Sequence, residues 1–171
     1  MKTRGSMKAT RFVAIMGCLA LLAAIQPSSA QDDRHVLAIP MTVKLADVKW
    51  TPMFPELGDR SPQISILRID PVTQATQLLV RIPKNFHVPM HWHAANEMYT
   101  ILRGEFSVSC NGKREDLGRG DFNYIPSKIP HEAWTKKGAL LFITADRPWN
   151  LNWVGDPPTQ AEMLEAKKGG D

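Results

Sequence analysis

The chain has 171 residues and a formal net charge of +4, with 43% hydrophobic and 22% charged residues. This composition excludes a disordered or low-complexity chain and predicts one globular domain. Four of the 21 basic residues fall within the first 30 positions, which leaves 17 basic against 17 acidic residues, so no basic surface remains for nucleic acid.

The first 30 residues have the pattern of a secretory signal peptide. A basic start through Arg11 precedes an apolar stretch from Phe12 to Ile25, and small residues at Ser28 and Ala30 suit cleavage near Ala30. The apolar stretch is shorter than the roughly 20 residues that span a bilayer, and a retained membrane anchor is the alternative. We expect a periplasmic or secreted protein without a membrane segment, in which Cys110 is the one remaining cysteine and no internal disulfide forms.

The rest of the chain is predicted to be mostly β-structure. Residues 31–62 contain four prolines and scattered apolar positions, which indicate an N-terminal arm along the edge of a sheet. Residues 63–154 predict an antiparallel sandwich or barrel, with a tight hairpin at Asn111-Gly112. In the C-terminal tail, residues 155–171, the capping-box sequence Thr159-Gln160-Ala161-Glu162 opens a short helix. The predicted strands are Gln63–Arg68, Ala75–Ile82, Met98–Arg103, Glu105–Cys110, Asp121–Ile125 and Ala139–Ala145.

Four of the five histidines fall within 45 residues. Alternate side chains of a strand share one face, so His91 and His93 point the same way, and His87 joins them if the strand is continuous. Glu97 opens the next strand and can return its carboxylate to the same interior, while a turn ending at Pro130 delivers His131 from a different strand. Three neutral imidazoles and a carboxylate form a ligand set for a divalent transition metal. Satisfied core histidines are the alternative.

These residues stand in a pattern that resembles a known family. The segment His91-x-His93-x3-Glu97-x6-Gly104 is similar to the first motif of the cupin superfamily, and Gly120-x5-Pro126-x4-His131 is similar to most of the second. The resemblance covers roughly Leu78 to Thr144. It extends more weakly to a group of small single-domain bacterial cupins with a Val-Lys-Trp segment before the barrel, here Val48-Lys49-Trp50, and a Pro-Trp segment after it, here Pro148-Trp149. It implies an all-β jelly-roll barrel, a homodimer, and a metal bound by His91, His93, Glu97 and His131 with positions open to water, substrate or dioxygen.

Three residues depart from the family pattern. Asn85 replaces a glycine of the first motif, and Thr135 takes the place of a frequent asparagine. Lys128 replaces the glycine of the second motif's turn; if this position keeps a positive φ, the substitution costs about 1 kcal/mol, and otherwise the turn is rebuilt. None of the three is a predicted ligand.

Further residues are placed by counting along the strands. Steps of two put Tyr99 and Ile101 inside with the metal, and the same count from His131 puts Thr135 there. Tyr99 either orients a substrate through its hydroxyl or packs in the core. His87 has three possible roles: partner of a metal ligand, hydrogen-bonding group for a substrate, or plain core or rim residue.

The sequence leaves the metal and the reaction open. Iron, manganese, zinc, nickel and copper all suit these ligands, because the ion bound depends on availability as much as on the site. Our first hypothesis is an exported metalloenzyme of oxygenase, lyase or isomerase type that acts on a small oxygen-bearing substrate, with Glu97, Tyr99 and His87 as catalytic residues. The alternative is a non-catalytic periplasmic protein that binds a small ligand or metal. A third possibility is an oxidative-stress partner acting through Cys110.

Overall fold

The computed structural model describes residues 40–164, so the predicted signal peptide at 1–30 and the end of the C-terminal tail lie outside the described residues. Backbone contacts divide the chain after Pro40, and every element below belongs to the unit Met41–Asp171. Two short 3₁₀ segments, Leu45–Asp47 and Pro55–Arg60, flank the first strand. The strands and the helix of residues 40–164 are β1 Thr51–Pro52, β2 Gln63–Ile69, β3 Thr76–Ile82, β4 Phe86–Trp92, β5 Glu97–Gly104, β6 Phe106–Cys110, β7 Lys113–Leu117, β8 Phe122–Ile125, β9 His131–Thr135, β10 Ala139–Ala145, β11 Asn152–Trp153 and α1 Gln160–Leu164.

The strands form two antiparallel sheets that share one core. One sheet has the order β1-β2-β3-β10-β5-β8 and the other the order β11-β4-β9-β6-β7. Consecutive strands such as β4 and β5 lie in different sheets, as in a jelly roll. Inward side chains of both sheets, among them Phe86, Ile101 and Val108, pack in a single hydrophobic cluster. The all-β jelly-roll prediction is confirmed, although the described ladders remain two sheets and do not close into one continuous barrel.

The local signals in the sequence predicted these elements well. All six predicted strands are present, with ends that differ by at most one residue. Asn111 and Gly112 join β6 to β7 with φ values of 52° and 75°, the left-handed pair that a two-residue type I′ hairpin requires. The hairpin prediction is confirmed.

Both flanking segments are anchored to the sheets. Thr51 of β1 pairs with Ile64 of β2 at the edge of the six-stranded sheet, where the N-terminal arm was predicted to pair. The capping box is formed: the Thr159 N–H donates to Glu162 Oε2 at 2.7 Å, and the Glu162 N–H donates to Thr159 Oγ1 at 3.3 Å. Met163 of α1 is buried in the core. Within residues 40–164, no helix is long and apolar enough to cross a bilayer.

Strand β4 contains a bulge that decides which of its side chains face the core. Between Val88 and His91 it has one residue more than its partner β9, and Pro89, which has no N–H for the ladder, lies in this interval. One extra residue reverses the alternation of faces. Phe86 and Val88 therefore face inward before the bulge and His91 after it. The expectation that His87 shares the face of His91 is wrong, because the strand is not continuous.

Gly104 at the end of β5 explains the glycine of the first motif. Its φ is +81°, and a Cβ built on it would lie 2.9 Å from the carbonyl carbon of Gly138 and closer still to that carbonyl's oxygen. Gly138 belongs to the β9–β10 turn, so two backbone segments touch at this point. A side chain here would separate the turn from the strand.

Replacing Gly104 should therefore cost more than its backbone angle alone predicts. We expect Gly104→Ala to lower the free energy of unfolding by about 2–4 kcal/mol, because the cost of a non-glycine residue at a positive φ adds to the cost of the backbone clash. Gly112→Ala is the matched control, since Gly112 also has a positive φ but open space around its Cα, and it should cost about 1 kcal/mol. Urea unfolding of both variants measures the difference; equal losses would contradict the clash.

Candidate metal centre

Three histidines meet in the interior between the two sheets. His91 ends the bulge of β4, His93 follows that strand, and His131 begins β9. Their side chains are almost fully buried, with exposures of 4%, 3% and 2%. One ligand nitrogen of each ring lies within 4.8 Å of those of the other two. The structure thus brings together the three imidazoles that the sequence predicted to converge.

The outer nitrogen of each ring is bound to a backbone carbonyl. The Nδ1–H of His91 donates to Pro89 O at 2.7 Å, and the Nδ1–H of His131 donates to Ile129 O at 3.0 Å. The Nδ1–H of His93 donates to the carbonyl oxygen of Asn150. Because a carbonyl oxygen only accepts, Nδ1 must carry the proton in all three rings. In the neutral imidazoles, Nε2 keeps its lone pair.

The surroundings of the cluster favour neutral rings. Burial lowers the pKa of His91 well below its ordinary value, and the neighbouring His131 and His93 lower it further. Burial also lowers the pKa of His131, although its bond to Ile129 O and the nearby Glu97 act in the opposite direction. A neutral imidazole is the form that binds a metal ion.

Glu97, at the start of β5, lies beside the three histidines. Its carboxylate is 4% exposed, with Oε1 3.5 Å from His93 Nε2 and Oε2 4.0 Å from His131 Nε2. The indole Nε1–H of Trp149 donates to Oε1 at 2.7 Å. Three imidazole lone pairs and one adjacent carboxylate are a nitrogen and oxygen donor set that suits a divalent transition metal ion. The donor set does not select one metal.

A small apolar cavity adjoins the cluster. Its volume is about 50 Å³, and since one water needs roughly 10–15 Å³ on this measure, it accommodates only a few water-sized groups. Its walls are mostly aliphatic and aromatic. Besides the three histidines, the polar or aromatic lining residues that matter for chemistry are Glu97, Tyr99 and Trp149.

Tyr99 faces this cavity, in agreement with the count along β5. Its ring is 3% exposed, and its hydroxyl has no hydrogen-bond partner among residues 40–164. The Asn123 side chain lies close enough to lower the pKa of Tyr99, but its Nδ2 has no hydrogen-bond partner within residues 40–164 either. Burial, and then the charge of Glu97, raise the pKa of Tyr99 far above its ordinary value. The phenol is neutral and available to a bound molecule.

Thr135 and Lys128, two of the departures from the family pattern, lie at the end of β9 and in the turn before it. Thr135 is 1% exposed, but its Oγ1 accepts the Gly138 N–H at 2.9 Å, so it stabilises the β9–β10 turn instead of lining the cavity. Lys128 keeps a positive φ of 64°, so the turn is not rebuilt. The Lys128 N–H donates to the carbonyl oxygen of His93 at 2.8 Å, which links the turn before His131 to another histidine of the cluster.

His87 lies outside the cavity. Its Nδ1 is 3.2 Å from the carbonyl oxygen of Glu162 in α1, and its Nε2 is 3.1 Å from Glu132 Oε2 in β9. It connects β4 to a neighbouring strand and to the helix. Of the three roles considered for His87, this placement agrees with that of a core or rim residue.

Sequence reasoning missed the segment that follows β10. The ring of Trp149 stacks on His93 with centroids 5.2 Å apart and planes 25° from parallel, besides its bond to Glu97. Asn150 supplies the carbonyl for His93, and its Oδ1 accepts the Ala94 N–H at 2.8 Å. Periodicity along a strand cannot reveal such contacts, and the only signal was the Pro148-Trp149 pair that accompanied the family resemblance.

Comparison with known proteins agrees with the fold and the motifs. Residues 78–146 match the family model described as Cupin domain. Dimethylsulfoniopropionate lyase DddQ of Ruegeria pomeroyi is 34% identical over 94 residues, which cover 53% of this chain and 42% of that protein. An uncharacterized protein of Aquifex aeolicus is 30% identical over 70 residues, which cover 40% of this chain and 56% of that protein. The chain thus spans about half the length of the curated relatives it matches.

Solved structures extend the likeness at the level of fold. The polyketide cyclase RemF from Streptomyces resistomycificus aligns with a TM-score of 0.56 and 19% identity, covering 72% of this chain and 90% of that structure. At this identity the likeness concerns the fold alone.

Substitution of His87 tests whether its role is structural. We expect His87→Ala to lower the free energy of unfolding by roughly 1–3 kcal/mol, because two hydrogen bonds between β4, β9 and α1 are lost, and to leave metal binding intact. His131→Ala is the comparison variant and should lose metal binding. Urea unfolding measures the change in stability, and the amount of Co²⁺ bound per chain after gel filtration measures metal binding. If His87→Ala loses as much Co²⁺ as His131→Ala, His87 belongs to the site.

Proposed function

We propose that this chain, whose residues 78–146 match the Cupin domain family, is a metal-dependent enzyme acting on a small oxygen-bearing substrate at the histidine cluster. One observation carries the proposal. Three buried imidazoles bring one ring nitrogen each together beside an apolar cavity, which also contains the Tyr99 hydroxyl, a group without a hydrogen-bond partner among residues 40–164. Buried polar groups without partners are costly in a purely structural core. A metal ion and a substrate would satisfy them together.

Each residue has a separate task in this proposal. His91, His93, His131 and Glu97 would hold the metal, which when bound supplies a Lewis acid that polarises a substrate oxygen. Tyr99 would donate its phenolic O–H in a hydrogen bond to the substrate, since the phenol is neutral and its hydroxyl has no acceptor among residues 40–164. The apolar walls exclude water and strengthen these polar contacts. We assign no catalytic task to His87, because it does not line the cavity.

The geometry of the site does not select one reaction class. Lyase chemistry is the first class to test, because a curated relative that matches over half of this chain is named a dimethylsulfoniopropionate lyase. Dimethylsulfoniopropionate is accordingly the first substrate to test, with other small carboxylates beside it. Oxygenase and isomerase activities suit the same ligands.

A non-catalytic role is the second candidate. The cavity is only about 50 Å³, which also suits a protein that binds a metal ion or a very small ligand without converting it.

We also propose that the protein is exported to the periplasm or the medium with cleavage near Ala30, and that it assembles as a homodimer. Mass spectrometry of the protein from its native compartment and light scattering test them.

Turnover by the metal-loaded protein separates the two candidates. We expect wild-type protein loaded in turn with Fe²⁺, Mn²⁺, Zn²⁺, Ni²⁺ or Cu²⁺ to convert a member of the substrate panel, and His91→Ala to be inactive. Tyr99→Phe should bind the same amount of metal and lose about 10²-fold or more in kcat, the usual contribution of a preorganised hydrogen-bond donor. Thermal stabilisation by a panel compound without product, under every metal, would instead identify a binding protein.

A further inference from the structure

The segment that joins β10 to β11 runs beside the histidine cluster. It leaves the six-stranded sheet after Ala145 and reaches β11, whose Asn152 pairs with Trp92 of β4 in the other sheet. The side chain of Trp149, in the middle of this connection, forms part of the cavity wall. The segment therefore passes from one sheet to the other beside the ligands predicted near β4 and β5.

Trp149 makes the two oxygens of Glu97 inequivalent. Its indole N–H can only donate, and it is 2.7 Å from Oε1. A hydrogen bond to a buried carboxylate is charge-assisted and gains strength from the low local dielectric. Within residues 40–164, no indole or other side-chain N–H donates to Oε2 in this way, and this oxygen lies on the side of His131, 4.0 Å from its Nε2. One carboxylate oxygen is thus bound and the other is left available.

The same residue also restrains His93. The indole and imidazole planes are 25° apart with centroids at 5.2 Å, and the next residue, Asn150, accepts the Nδ1–H of His93. Two consecutive residues thereby fix the orientation of two predicted ligands that lie more than 50 positions earlier in the sequence.

We propose that Trp149 is a positioning residue that restricts Glu97 to binding a metal through Oε2 alone. The inference rests on the proposed metal site. A carboxylate that binds through both oxygens occupies two coordination positions, whereas one that binds through a single oxygen occupies one. By holding Oε1, Trp149 leaves a position open for the substrate.

Phenylalanine at this position separates the hydrogen bond from the packing. Trp149→Phe keeps an aromatic ring over His93 and removes the indole N–H. Trp153→Phe is the matched control, because the Trp153 ring also contacts a predicted ligand, His91, with centroids 6.0 Å apart, and none of the hydrogen bonds described for residues 40–164 involves its indole N–H. Trp149→Ala removes both the hydrogen bond and the ring.

Cobalt(II) is the probe, because its visible absorption weakens as its coordination number rises. We expect Trp149→Phe to show weaker Co²⁺ bands than wild type and a 10- to 100-fold lower Co²⁺ affinity in competition with a chelator, the usual effect of removing the partner of a ligand. Trp153→Phe should match wild type. Identical spectra and affinities for wild type and Trp149→Phe would overturn the inference and leave the metal site standing. A wild-type protein that binds no Co²⁺ would overturn the metal site and the inference with it.

A measurement on the wild type keeps the test decisive if Trp149→Phe does not fold. The indole N–H of Trp149, assigned through its contacts to His93, should remain protected from hydrogen exchange after Zn²⁺ is added. Loss of that protection on Zn²⁺ addition would show that Oε1 leaves the indole for the metal, which contradicts the proposed role.

Discussion

The hydrogen bonds from three histidine Nδ1–H groups to backbone carbonyls are the interaction on which the site depends. Each carbonyl comes from a different irregular feature of the fold: Pro89 from the bulge in β4, Ile129 from the turn before β9, and Asn150 from the connection after β10. The regular ladders hold these features in place, and the features determine which ring nitrogen carries the proton. The fold thus produces a set of lone pairs directed into a nearly dry interior, and a metal ion is the partner that such a set fits best.

Much of the fold could be predicted from the sequence because its signals are local. The alternation of apolar residues in the strands, the Asn111-Gly112 turn and the Thr159–Glu162 capping box each depend on neighbours a few positions apart. The convergence of His91 with His93 follows from the same two-residue period. The arrival of His131 was predictable from the turn before it, which keeps its conformation even with Lys128 at a positive φ.

The features that were not predicted correctly depend on contacts that the periodicity of a single strand cannot reveal. His87 would share the face of His91 only in a continuous strand, and Pro89 was the available sign of a bulge. The bond between Trp149 and Glu97 joins residues 52 positions apart, so it exists only once both sheets are assembled. Thr135 illustrates a third limit: its burial was predicted correctly, but its hydroxyl is used by the Gly138 N–H of the adjacent turn.

Direct observation of the ring protons tests the central arrangement most simply. A long-range ¹H–¹⁵N correlation spectrum of the metal-free protein distinguishes the two neutral tautomers of each histidine. His91, His93 and His131 should all carry the proton on Nδ1, and Zn²⁺ should shift the three Nε2 resonances together. A proton on Nε2 in any of these rings, or a Zn²⁺ response confined to one of them, would contradict a shared metal centre.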